Sequence, residues 1–489
     1  MSTTAAAPAP QDARPGPAAA PVSRKAPIGL SLLAVAGTVL FGALSGSKSA
    51  SFGLVDAGRE ASGLAAWLAL AVALVAAAWF GYLRFRGTRS GRAPARWTTG
   101  ALAAAAVVFL LALLGVAGVT VITVSSPVVG WLASAVMLAG AAYSVWLTSA
   151  RRTTPGWVGA VFAVAFLVGF LVWIVAGGRD QTPFISLAGL LAGAVTLSVP
   201  LVFGSLSGVL CERSGIVNIA IEGQLLMGAF SAAVGATLAH NVYVGLVAAA
   251  VAGALVSLVL ALVSIKYLVN QIIVGVVLNV LVVGLTNFLF STLLTEDPDG
   301  LNKPPHLGNI EIPILADVPV IGPILFRQSL VGYLMYIAVV VVYVGLFHTR
   351  WGLRVRAVGE HPQAADTLGV NVNRTRFWNT ILGGAVAGIG GSFFTLVAVD
   401  AFSKEMSAGR GYIALAALIF GRWNPIGAFL ASLLFGFADN LQSIITIIGS
   451  PVPSQFMAML PYVVTVFAVA GLVGRSRPPA MEGIPYVKQ

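Results

Sequence analysis

Apolar residues run in long continuous blocks along this chain, at 28–44, 61–83, 98–125, 128–148, 157–177, 184–210, 216–239, 244–265, 272–294, 330–347, 379–399 and 456–474. Most blocks approach or exceed the ~20 residues that a helix needs to cross a bilayer. They do not alternate apolar with polar positions, as the short segments of a transmembrane barrel would. The pattern predicts an all-α polytopic membrane protein. The stretch GYIALAALIFGRWNPIGAFLASLLFGF, 411–437, is too long for one span and too short for two full ones. Arg422, Asn424 and Pro425 interrupt it, so it reads as a short helix, a tight turn and a second helix. Counting that hairpin as two, the chain makes about fourteen crossings.

Composition supports this reading. Of 489 residues, 58% are hydrophobic and only 9% charged, against about a quarter charged in a soluble domain. The net charge of +11 would suggest nucleic acid in a soluble protein. Here the Lys and Arg residues gather in short loops between apolar blocks, the mark of a cytoplasmic side. No basic run is interleaved with aromatics as base stacking requires, so no nucleic acid partner is expected. Arg84, Arg86, Arg89, Arg92 and Arg96 follow the second block; Arg151 and Arg152 follow the fourth. Placing both loops inside puts the N-terminus inside. Strict alternation then puts Glu296, Asp297, Asp299, Glu311 and Asp317 outside, and Arg350, Arg354, Arg356, Arg374 and Arg376 inside. The C-terminus falls inside as well. Residues 1–27, rich in Ala and Pro, are expected to be a disordered cytoplasmic tail.

Catalytic chemistry is not visible. The single cysteine, Cys211, excludes a disulfide within the chain, and His240, His306, His348 and His361 lack metal-ligand spacing. No GxxxxGK[ST] phosphate loop occurs. No convergent acid–base set is present, so neither an enzyme nor a bound cofactor is expected.

Polar residues within the apolar blocks are the candidates for function. CERSGIVNIAIEGQLLMGAF, 211–230, places Glu212 and Arg213 at a turn and Glu222 inside the next block. Asn218 and Glu222 are four apart, so they share one helix face. A carboxylate among apolar spans is costly unless it faces protein or water. Glu222 therefore either gates or lines a polar path, or it pairs with Arg213 or caps a backbone amide. Asn270 and Gln271 sit at the next cytoplasmic turn, and Asn279 and Asn287 lie within 272–294. Polar groups in spans face a solute or hold helices together. Gly384 and Gly388 form a small-xxx-small pattern that indicates close helix packing.

The cytoplasmic segment HTRWGLRVRAVGEHPQAADTLGVNVNRTRFW, 348–378, predicts one more element. Pro362 suits the first turn of a helix, Gln363, Ala364, Ala365, Asp366, Thr367 and Leu368 continue it, and Gly369 can end it. So short a helix is marginal in water. It either docks on a partner or is an ordinary helical turn of a surface loop.

Three stretches carry a family resemblance. VGEHPQAADTLGVN resembles the coupling loop of bacterial ABC-transporter permeases. ERSGIVNIAIEGQLLMGAF resembles the matching stretch of the branched-chain amino acid, ribose and nucleoside permease superfamily, in the form of its nucleoside subgroup. GYIALAALIFGRWNPIGAFLASLLFG is similar to that subgroup's C-terminal hairpin. The resemblance covers 185–475 and implies a permease subunit of an importer for a small hydrophilic solute, nucleosides first and simple sugars such as ribose second. It implies a ten-helix permease core at 151–475, followed by a cytoplasmic tail at 476–489, whereas the about four extra N-terminal helices at 28–150 have no counterpart in that core. It implies a second permease subunit, an ABC ATPase that holds ATP and Mg, and an extracellular substrate-binding lipoprotein, in a bacterial plasma membrane. Glu360 and Pro362 to Gly369 would be the ATPase-coupling helix. Glu212, Arg213, Asn218, Glu222, Asn270, Gln271, Asn279 and Asn287 would line the translocation path or its gate. An ion-coupled secondary transporter is the rival class, but such proteins usually carry several ionisable groups at mid-membrane, and Glu222 is the clear candidate here.

Overall fold

The computed structural model describes residues 25–43, 49–53, 70–71, 73–77, 109, 113, 121–152, 154–177, 184–318, 321–448, 459 and 477–488. Most of the apolar blocks expected at 61–83, 98–125 and 456–474 lies outside these residues. The chain divides into two compact units, Met1–Ser47 with Ser126–Trp173, and Lys48–Ser125 with Ile174–Gln489.

In the first unit, α1 (Lys25–Gly37) widens into π-turns over Thr38–Ala43. It packs with α2 (Ser126–Ser149) and α3 (Gly156–Gly177), whose last residues belong to the second unit. Ala34, Phe41, Met137, Ala141 and Phe162 form its core. The Phe41 ring meets Phe166 and Phe170 edge-on, with centroids 5.3 and 6.5 Å apart.

The second unit contains a small three-stranded sheet. Residues 121–125, expected to finish a helix, are instead extended as β2 (Val121–Ser125). It pairs antiparallel with β1 (Ser49–Gly53), which pairs in parallel with β3 (Phe184–Ser186). Val121, Ile122, Thr123 and Val124 are β-branched, and such residues favour an extended chain. Long helices follow: α4 (Leu187–Glu212), α5 (Ile221–Ala239), α6 (Val242–Ala261) and α7 (Gln271–Leu289). A loop region carries α8 (Pro298–Leu301), β4 (Asn309–Glu311), α9 (Ile321–Leu325) and β5 (Arg327–Ser329), with β4 and β5 antiparallel. Then come α10 (Leu330–His348), α11 (Arg350–Glu360), α12 (Pro362–Thr367), α13 (Val372–Phe393), α14 (Arg410–Phe420) and α15 (Pro425–Ile448).

Among the described residues nine helices are long and apolar enough to cross a membrane, which makes the chain a polytopic α-helical membrane protein. Side-chain caps set several of their starts. Ser186, Asn241, Asn270, Ser329 and Asn371 accept backbone N–H groups at the starts of α4, α6, α7, α10 and α13. The hairpin at 411–437 forms as expected, with α14 of only 11 residues and α15 of 24. Two helix starts differ from expectation by five residues or more. The helix expected at 216 starts at Ile221, and that expected at 379 starts at Val372.

α4 is buried over most of its length and packs against α13, α14 and α15. α5, α6 and α13 cross closely at glycines. A Cβ on Gly388 would collide with the Ala249 carbonyl, and one on Gly384 with the Ser257 hydroxyl. The small-xxx-small pattern is therefore a packing device here. Loop contacts sort into two groups. At one end Val217 N–H donates to Gln271 Oε1 (2.7 Å) and Arg213 Nε to the Trp423 carbonyl (2.9 Å). At the other, Asn302 Nδ2 donates to the Phe402 carbonyl (3.0 Å), Leu307 N–H to the Leu396 carbonyl (2.8 Å), and His306 meets Asp400 (2.7 Å).

Overpacking a tight core costs about 1–3 kcal/mol. Gly388→Ala is accordingly expected to lower the melting temperature in detergent, while Gly284→Ala, at a glycine with open space, should leave it unchanged.

Candidate functional site

α12 forms where Pro362 and Gly369 predicted it. Pro362 occupies its first turn, and Gly369 turns the chain beyond Leu368 with φ +83°, a conformation that costs glycine least. The helix has two faces. Pro362 and Ala365 are buried, and Ala365 packs with Val358, Val372 and Tyr486. Gln363, Ala364 and Thr367 point outward with Leu368, which is 85% exposed. A leucine that open, at the tip of a two-turn helix beside basic loops, offers an apolar contact to a partner. The preceding helix α11 was not anticipated. Its signal was present: Gly352, Val355, Val358 and Gly359 are buried at helical spacing, while Arg350, Leu353 and Arg354 are exposed. Thr349 caps it, accepting the Gly352 N–H at 3.1 Å.

The turn between α4 and α5 bears on the same end. Glu212 accepts the Trp423 indole N–H. Arg213 donates to the carbonyls of Trp423 and Arg422, and its guanidinium lies over Phe347, 5.7 Å from the ring centroid. Arg422 and Trp423 both hold left-handed backbone angles, φ 54° and 51°, which are uncommon for such residues. Glu212 and Arg213 thus clamp the α14–α15 turn. Burial lowers the Arg213 guanidinium from its ordinary value; Glu360 counters this and Arg356 adds to it. A side chain at Gly359 would strike the Arg213 carbonyl, so the end of α11 rests directly on this turn.

Asn218 does not share a helix face with Glu222, because it lies in the turn before α5. Its amide bonds to Ser207 (3.0 Å) and Gln224, and Gln224 reaches Ser257 (2.7 Å), forming a buried polar network among α4, α5 and α6. Glu222 does not pair with Arg213. Its carboxylate accepts the Ser407 hydroxyl (2.6 Å) and the backbone N–H groups of Gly409 (2.8 Å) and Gly411 (2.6 Å). It caps the start of α14, the backbone-amide reading left open by the sequence. Asn279 accepts the Gly223 N–H (2.8 Å) and donates to the Ile219 carbonyl and the Tyr412 hydroxyl. Asn270 caps α7. Gln271 and Asn287 keep spare capacity: Gln271 Nε2 and Asn287 Oδ1 have no partner among the described residues, while Asn287 Nδ2 reaches Glu405 at 3.3 Å.

The segment 477–488 closes over this end. Gly483 N–H donates to the Gly215 carbonyl (3.2 Å), Met481 N–H to the Gly359 carbonyl (3.0 Å), and Ala480 N–H to the Glu360 carboxylate (3.2 Å). The buried Arg376 donates to the Ile484 carbonyl (2.8 Å), and Lys488 meets Asp366 (3.4 Å). Sequence reading missed this contact because no motif marks it.

Residues 190–469 match the protein family described as branched-chain amino acid transport system / permease component. The chain belongs to that family, and is therefore a transport subunit rather than an enzyme. It is 38% identical over 312 residues to the nucleoside ABC transporter permease protein NupC of Lactococcus lactis subsp. cremoris (strain MG1363), covering 61% of this chain and 96% of the relative. It is 39% identical over 308 residues to the guanosine ABC transporter permease protein NupQ of Bacillus subtilis (strain 168), covering 60% and 94%. The putative glucose ABC transporter permease protein TsgC13 of Haloferax volcanii is 34% identical over 257 residues, covering 52% and 77%. No solved structure matches the chain.

Burial pushes the Glu482 carboxyl up to about 7, even though it shares a hydrogen bond with Glu212. When the segment lifts off, Glu482 returns to the ordinary carboxylate range near ~4.3. Docking of 477–488 therefore carries no penalty below that range, weakens as pH rises, and is weakest above about 7. Hydrogen-exchange protection factors at 480–486 are expected to be higher at pH 5.5 than at pH 8. Glu482→Gln should flatten that dependence.

Proposed function

We propose that this chain is one of two permease subunits of an ATP-binding cassette importer that carries nucleosides across a bacterial plasma membrane. The observation that carries this reading is the match to the nucleoside and guanosine permeases, which extends over at least 94% of each relative at 38–39% identity. The glucose-named relative matches at lower identity over 77% of its length, and it keeps a simple-sugar importer as the second reading. In this reading the whole chain makes about fourteen crossings with both termini in the cytoplasm. An extracellular lipoprotein delivers the solute. A separate ATPase holds ATP and Mg, and its closure pushes on Glu360 and the helix from Pro362 to Gly369.

The outward face of α12 supports that role. It presents Gln363, Ala364, Thr367 and Leu368 to a partner while Pro362 and Ala365 anchor the helix to the body. Path residues are those with hydrogen-bonding capacity to spare. Asn287 fits best, with a carbonyl that has no partner among the described residues and an amide beside Glu405. A nucleoside is neutral and polar, so amide groups suit it without a buried charge pair.

Uptake of labelled guanosine and uridine by cells with and without the gene tests the solute, with unlabelled ribose as competitor. Loss of uptake without the gene, and no competition by ribose, is the expected outcome. Unchanged nucleoside uptake with reduced ribose or glucose uptake would move the assignment to sugars.

A further inference from the structure

The short helix has few contacts of its own. α12 has six residues, of which Pro362 and Ala365 are buried, and a helix of that length does not hold itself together in water. Among the described hydrogen bonds none joins α12 directly to the α4–α5 turn at 212–218. The segment 477–488 touches both. Gly483 bonds to Gly215 of that turn, and five residues later Lys488 meets Asp366 of α12. Between them, Tyr486 packs into the cluster that holds Ala365, Val358 and Val372. On the way the segment also bonds to Gly359 and Glu360, where α11 ends. The turn it reaches is the one whose Glu212 and Arg213 clamp the α14–α15 hairpin.

We propose that residues 477–488 are a positioning strap that ties α12 to the α4–α5 turn, so that movement of the short helix reaches the membrane helices through Tyr486 and Gly483. This rests on the reading of α12 as the ATPase-coupling helix. The strap lies on the inner side of α12, against Ala365 and Asp366, and leaves Gln363, Ala364, Thr367 and Leu368 free. It transmits the push without forming the docking face. Tyr486 matters more than Lys488, because the lysine end of the ion pair is 71% exposed and such pairs contribute little.

The test uses the complete transporter, with its partner permease and ATPase, reconstituted in liposomes. Three readouts are taken: ATPase retained on purification, ATP hydrolysis, and labelled guanosine taken up per ATP hydrolysed. Removal of 477–489, and separately Tyr486→Ala, should keep the ATPase bound and hydrolysing. Uptake per ATP should fall on the order of tenfold, within the range of energetic coupling between sites. Tyr486→Phe keeps the ring and should stay near the unaltered chain. A merely structural role would lower assembly and all activities together and leave the ratio intact. Unchanged uptake per ATP in both variants overturns the proposal. So does loss of the ATPase from them, which would place the segment in the docking face itself. Leu368→Asp on the outer face separates the two readings. If it keeps its ATPase, the coupling assignment fails and the strap with it. If it sheds its ATPase while the strap variants transport normally, the strap alone fails.

Discussion

One carboxylate sets the architecture of the permease core. Glu222 accepts three hydrogen bonds from the 407–411 turn, two of them from backbone N–H groups at the start of α14. That helix has 11 residues, about 16 Å of rise, roughly half the ~30 Å core of a bilayer. A half-length helix must begin within the protein, where water cannot satisfy its first N–H groups. Glu222, itself only 7% exposed, supplies the acceptor, and the negative charge suits the positive end of the helix. The acid in an apolar run is thus the consequence of a broken helix elsewhere in the chain.

The other end of α14 is held by the same stretch of sequence. Arg213 captures the carbonyls of Arg422 and Trp423, whose left-handed angles leave them outside a regular helix, and Glu212 takes the Trp423 indole. The segment from 211 to 222 therefore grips both ends of the half-helix. It also meets α11 at Gly359 and the 477–488 segment at Gly215. These contacts join α11 and the 477–488 segment to the turn between α4 and α5.

Elements whose cause is local could be read in the sequence. The continuous apolar blocks mark the long helices, Pro362 and Gly369 bracket α12, and Arg422 to Pro425 break the hairpin. The role of Glu222 could not be singled out, because its partners lie 185 to 189 residues away and a backbone N–H has no sequence signature. Asn218 was misplaced on a helix because its turn is held open by partners on other elements, Ser207 and Gln224 at its side chain and Gln271 at Val217. α11 was overlooked because arginines obscured a helical spacing of Val355 and Val358. The apolar residues of 121–125 read as the end of a helix, although their β-branching argues for extension.

The geometry makes Glu222 a clasp on the start of α14. Comparing Glu222→Ala with the unaltered chain, in melting temperature and in solute uptake, tests it directly. Orphaning three donors at about 1–3 kcal/mol each should lower the melting temperature by several degrees, with uptake falling only as far as folded protein is lost. A Glu222→Ala chain that melts like the unaltered one, yet no longer transports, would return Glu222 to the path.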